Sequence, residues 1–131
     1  MIGLDTNVLI RYLVQDDARQ AAAATTLIES LSAAGRGFVS LVTLVETAWV
    51  LDRSYRLDRP AIEAIMARML GAVELSIERP DVVGAALGLF ADGADFSDAV
   101  IEASGREAGC EYTLTFDRRA SGRTGMRLLS W

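Results

Sequence analysis

The apolar positions fall into two alternating rhythms, short unbroken runs and longer stretches with helical spacing. Met1 to Leu4 is a short apolar run that breaks at Asp5, after which Val8, Leu9, Tyr12 and Leu13 follow the period of a helix. The order predicted is strand, acid, helix. Ala24, Leu27, Ile28 and Leu31 carry a second helix from Ala18 to about Ala34, and the glycines of Gly35-Arg36-Gly37 are expected to close it. Phe38-Val39-Ser40 reads as a strand. A third helix starts near Val42 with Leu44, Val45, Ala48, Trp49 and Leu51 as its apolar face. Pro60 opens a fourth, whose Ile62, Ile65, Met66, Met69 and Leu70 form a stripe suited to core or to a dimer surface, and Gly71 ends it. Val73 to Ser76 is the next short strand. Pro80 begins a helix with Val82, Val83, Ala86, Leu87 and Phe90 on one side, Gly93 breaks it, and another helix runs from about Phe96 to Gly109. Tyr112 to Thr115 and Met126 to Leu129 supply the last strands. Strands alternating with helices predict an α/β fold on a parallel sheet.

In such a sheet, ligands bind in the crevice at the carboxyl ends of the strands, and four acids fall there. Asp5 and Asp117 stand just past strand ends, Glu46 lies in the first turns of the helix after Phe38-Val39-Ser40, and Asp98 lies in the first turn of the helix from Phe96. Each has a local explanation as well. Asp5, Thr6 or Asn7 suits a helix cap, and Thr43-Leu44-Val45-Glu46 matches a capping box. Asp95 as cap with Asp98 at the third position complements the helix dipole, and Asp16 and Asp17 read as solvated caps. Yet four carboxylates in one crevice raise one another's pKa and cost stability unless a divalent cation compensates. A shared location points to metal-ion catalysis.

Composition narrows the chemistry. With 131 residues, 51% hydrophobic and 24% charged, the chain fits one soluble domain over residues 1–131. Its longest stretch without a charged residue, Val82 to Ala91, falls well short of the roughly 18 apolar residues of a membrane span. No basic leader precedes an apolar segment, so the expected location is the cytoplasm. The chain has neither His nor Lys, which excludes Ser-His-Asp and Cys-His schemes, imidazole zinc sites, the P-loop lysine and Schiff bases. Carboxylates, hydroxyls, amides and arginines remain, and an all-oxygen site favours Mg²⁺ or Mn²⁺. The lone Cys110 is expected to be a small buried apolar residue. A net charge of −5, from 18 acids and 13 arginines, argues weakly against nucleic acid as a partner. If four acids hold metal, however, the other 14 nearly balance the 13 arginines. Arg53, Arg56 and Arg59, at intervals of three, either face solvent at a helix end or touch phosphate.

Four segments together resemble PIN-domain proteins of the VapC toxin type. They are Met1-Ile2-Gly3-Leu4-Asp5-Thr6-Asn7-Val8-Leu9, Ser40 to Glu46, Asp95-Phe96-Ser97-Asp98-Ala99 and Thr113-Leu114-Thr115-Phe116-Asp117. The resemblance covers the whole chain. It implies a three-layer α/β/α fold with a central, mostly parallel sheet, a homodimer, and a Mg²⁺- or Mn²⁺-dependent endoribonuclease restrained by a VapB-type antitoxin. Carried over by position, the catalytic and metal-holding acids are Asp5, Glu46, Asp98 and Asp117. Thr6, Asn7 and Thr115 are neighbours that orient carboxylates or bound water, and Asp95 is a further acid whose role stays open. The departure is the acidic, lysine-free composition, so an RNA track must be built from arginines, for which Arg11, Arg36, Arg53, Arg118 and Arg119 are candidates.

The mechanism this implies is hydrolysis of an RNA phosphodiester by a metal-activated water, with Asp5 and Asp98 as direct ligands and Glu46 and Asp117 completing the shell or recruiting a second ion. Attack by water leaves a 5′-phosphate and a 3′-hydroxyl. An aspartyl-phosphate phosphatase with Asp5 as nucleophile is disfavoured, because the expected acid two residues on is Asn7 and no lysine exists. The remaining alternative is a non-catalytic interaction or regulatory module that keeps the fold; a lost acid would be its simplest sign, and none is lost.

Overall fold

The computed structural model describes residues 1–131. Elements follow in the order β1 (Ile2–Gly3), α1 (Thr6–Val14), α2 (Ala18–Ser30), β2 (Gly37–Val39), α3 (Leu41–Arg53), α4 (Arg59–Gly71), β3 (Leu75–Ile77), α5 (Pro80–Ala91), α6 (Phe96–Glu107), β4 (Leu114–Thr115), α7 (Arg118–Thr124) and β5 (Arg127–Leu128). The arrangement is the three-layer α/β/α fold, and every strand pairing is parallel. The strands form two ladders, β1-β2-β3 and β4-β5, and no backbone hydrogen bond joins β1 to β4.

Register is fixed by Ile2 opposite Gly37 and Gly37 opposite Leu75. Gly37 is required by close approach: a Cβ there would lie 2.7 Å from Leu4 Cδ1 and 2.9 Å from Leu31 Cδ1. The two leucines close over the start of β2, which explains why α2 stops at Ser30. Leu31 adopts an extended backbone, and Gly35, expected as part of a helix C-cap, instead closes a tight turn by exchanging backbone hydrogen bonds with Ser32.

One apolar core runs through the helices and β2 and β3, with Leu44, Leu51, Met66, Val39, Val82 and Val83 fully enclosed. Ile62, Met66 and Met69 of the α4 stripe belong to it, while Ile65 and Leu70 pack half-buried against it. No helix is long and apolar enough to cross a membrane. Three expectations are corrected. The third short strand begins at Leu75 and leaves Val73 exposed, Trp49 stands out of the α3 core face, and Cys110 is exposed beyond the positive-φ turn at Gly109; α7 is a helix in a stretch for which the pattern predicts no element.

Candidate active site

Asp5 follows β1 and caps α1, its carboxylate accepting the Thr6 N–H at 2.8 Å. That cap places the buried Thr6 hydroxyl to donate to the carboxylate of Glu46 on α3, a very short hydrogen bond between residues 40 positions apart. Thr6 thus bridges two of the four expected acids, its N–H donating to Asp5 and its hydroxyl to Glu46. The capping-box reading of Glu46 is corrected: Ser40 is the cap of α3 and accepts the Thr43 N–H at 3.1 Å, so Glu46 stands in the second turn, exposed and free of any capping duty.

Asp95 caps α6, accepting from the Asp98 N–H at 3.2 Å and from the Ser97 hydroxyl at 2.5 Å. Asp98, in the first turn of α6, is half-buried and its carboxylate has neither hydrogen-bond donor nor ion-pair partner. Desolvation by burial, then the nearby charges of Asp95 and Asp117, hold its pKa above the ordinary carboxylate value. Asp117 caps α7 through the N–H groups of Arg119 and Ala120 at 2.8 and 3.2 Å, and its own N–H donates to Thr115 Oγ1 at 3.0 Å. Capping and a site are therefore not alternatives at Asp5, Asp95 and Asp117. The caps fix the carboxylates.

Two cavities meet at Glu46. One, of about 400 Å³, is lined by Asp5, Thr6, Asn7, Arg11, Glu46, Trp49 and Tyr55 among others. The other, of about 770 Å³, lies between α3, α4 and the start of α6, with Glu46, Trp49, Arg53, Asp95 and Ser97 in its wall. The acids thus form two pairs, Asp5 with Glu46 and Asp98 with Asp117, connected through walls that Glu46 and Asp95 share. No three of them lie close enough together to hold one ion between them. The donor set nevertheless suits a hard cation, since Mg²⁺ commonly takes only one or two carboxylates and keeps several waters. No arginine forms an ion pair with Asp5, Glu46, Asp98 or Asp117.

The arginines divide by position. Arg11 lines the smaller cavity but is engaged, donating to Gln20 at 2.7 Å and to Asp16 and Tyr55 at 3.3 Å each. Arg36 precedes β2 and its carbonyl accepts the Ile2 N–H, so it stands at the opposite end of the sheet from the acids. Arg53 borders the larger cavity, and Arg118 and Arg119 are exposed beside Asp117. Arg59 is structural: it donates to the carbonyls of Phe90 and Ala94 at 2.7 and 2.6 Å and lies over the Phe90 ring. Tyr55 and Asp16 went unremarked as neighbours of the site. The Tyr55 hydroxyl donates to Asp16 at 2.6 Å across 39 positions of chain, which leaves no local signal.

Fold and acid placement together describe a carboxylate-lined crevice in a parallel α/β protein, and the family comparison assigns its class. The family model of the PIN domain matches residues 2–124, and the chain belongs to the PIN domain family. PIN domains are generally nucleases. A comparison with curated proteins returned no match.

Proposed function

We propose that this chain, a single PIN domain over residues 1–131, is a metal-dependent endoribonuclease of the VapC type, a toxin held in check by a VapB-type antitoxin and working as a cytoplasmic homodimer. What supports the reading is that Asp5 and Glu46 are bridged by Thr6 at one cavity, that Asp98 lies near Asp95 and Asp117, and that none of Asp5, Glu46, Asp98 and Asp117 is neutralised by an arginine. For Asp98, half-buried beside Asp95 and Asp117 with no partner of its own, the ionised form is costly unless a cation joins it.

Asp5, Asp98, Glu46 and Asp117 would hold Mg²⁺ or Mn²⁺, and the ion, when bound, supplies Lewis acidity toward the phosphodiester and a lowered pKa for water. The chain's own residues set the geometry. Thr6 fixes one oxygen of Glu46 and leaves the other free, while the Thr6 N–H orients Asp5. Thr115 positions the backbone that presents Asp117. Asn7, exposed in the cavity wall, orients water or phosphate with its amide. Arg53, Arg118 and Arg119 are the arginines available to phosphate.

The test is digestion of total bacterial RNA by the purified protein with Mg²⁺, with Mn²⁺ and with chelator, beside Asp5→Asn. Expected are discrete fragments with 5′-phosphate and 3′-hydroxyl ends that need metal and vanish in the variant. Cyclic phosphate ends, or the same pattern from Asp5→Asn, would sink the proposal. One observation favours a second reading, a non-catalytic interaction module: no three acids converge. Absence of both cleavage and Mn²⁺ binding by calorimetry would establish that module instead.

A further inference from the structure

The indole of Trp49 is 57% exposed on a helix whose Leu44 and Leu51 are enclosed in the core, and it stands on the exposed side with Val42. It lies one turn beyond Glu46, and both residues line both cavities. Trp49 therefore forms the ridge that divides the two spaces at the candidate site. Its indole N–H makes no hydrogen bond with the rest of the chain. The guanidinium of Arg53 lies 5.8 Å from the Trp49 ring centroid and has no ion-pair or hydrogen-bond partner. The contrast with Arg59 in the same wall is informative, because Arg59 is fully engaged with carbonyl oxygens and the Phe90 ring.

An exposed aromatic face beside a free guanidinium, next to carboxylates, fits one kind of occupant. A single-stranded nucleotide brings a flat π-face for the indole and an anionic phosphate for the arginine, and both contacts tolerate any base. The apolar flank made by Val42, Val45 and Val100 gives the base a surface from which water is displaced. We propose that Trp49 and Arg53 form a nucleotide subsite beside the candidate metal centre. Trp49 stacks on an unpaired base flanking the scissile bond, and Arg53 takes its phosphate. This rests on the nuclease reading and adds to it which side chains grip the strand beside the scissile bond.

The test uses the full chain carrying Trp131→Phe, which leaves Trp49 as the sole tryptophan. A ten-nucleotide single-stranded RNA is titrated in chelator, where nothing is cut; the anisotropy of a fluorescein-labelled copy gives the affinity of every variant, and with unlabelled RNA the Trp49 emission of the Trp131→Phe parent reports stacking. Expected are quenching on binding, affinity weakened about 5- to 150-fold by Trp49→Ala, and most of it retained by Trp49→Phe. Mn²⁺ affinity by calorimetry should be unchanged in both, and cleavage in Mg²⁺ should show a raised KM with kcat largely kept. If the parent protein cuts RNA and its Trp49 emission never moves on binding, while Trp49→Ala binds labelled RNA and cuts it equally well, the subsite is overturned and the nuclease stands. If sedimentation shows a dimer that Trp49→Ala converts to monomer, a second copy covers Trp49 and the subsite is likewise overturned. Failure of the parent protein both to bind and to cut RNA would remove the nuclease reading, and the subsite with it.

Discussion

At the scale of single residues, the hydroxyl of Thr6 has the most concentrated role. Thr6→Val keeps the shape and removes the donor to Glu46. Because Glu46 is exposed and water can replace the donor, the stability loss should be modest, about 1 kcal/mol by denaturant midpoint. Cleavage should fall about 10- to 100-fold, the usual cost of losing a group that orients a metal-holding side chain. Equal losses in stability and activity would instead make Thr6 a packing residue. Asp98 gives a second test at this scale. Its pKa is raised by burial and by Asp95 and Asp117, so the folded metal-free protein holds the Asp98 proton more tightly than the unfolded chain does. The associated stability is present at pH below the ordinary carboxylate value and is lost as pH rises through the raised one. Asp98→Asn should therefore raise the Tm of metal-free protein at pH 7, leave it nearly unchanged below pH 3, and abolish cleavage; a lower Tm at pH 7 would mean the carboxylate has a partner in solution. Asp5 and Asp117 were legible in the sequence because each stands just past a short apolar run, and Glu46 and Asp98 because each falls early in a helix whose start the pattern marks. The pairing of Asp5 with Glu46 through Thr6 was not, since that contact spans 40 positions.

At the scale of elements, Arg59 links the start of α4 to the junction between α5 and α6. Phe90 keeps a second donor in the Gly93 N–H, so Arg59→Ala strips the Ala94 oxygen of its donor and removes the cation from the Phe90 face. The expected loss is about 2 kcal/mol in chemical denaturation. Arg59→Lys should recover part of it, and a change within error would show that the junction is held by the core alone. Helices with a clear stripe were readable from pattern, and α4, α5 and α6 start within a residue of where Pro60, Pro80 and Phe96 place them. The difficulty lay where tertiary contacts override local preference. Leu31 leaves its helical period to cover Gly37. In α7, Ala120 and Thr124 are the buried residues, too little apolar surface to give a period, and the helix is set by its Asp117 cap. Trp49 looked like core because it follows the α3 stripe, but it falls on the edge that faces the cavities rather than α6.

At the scale of the whole molecule, charge sets how RNA is approached. The chain carries −5 without a single lysine, so long-range attraction for a polyanion is weak and binding depends on a few local arginines. Position removes two of the five candidates: Arg36 stands at the far end of the sheet, and Arg11 is held by Asp16, Gln20 and Tyr55. Arg53, Arg118 and Arg119 remain. For single strands the slope of log affinity against log salt is about −0.7 per phosphate neutralised, so three contacts predict a slope near −2. That is shallow for a nucleic-acid-binding protein. Removing both arginines of α7, by Arg118→Ala with Arg119→Ala, should flatten the slope by about 1.4 and weaken binding at low salt, while the position of the cut stays the same, since phosphate contacts position the strand without reading its sequence. Arg36→Ala should leave both slope and affinity unchanged. If Arg36→Ala flattens the slope and the α7 pair does not, RNA approaches the amino end of the sheet, and the proposed site at the carboxyl ends of the strands is not where the strand lies.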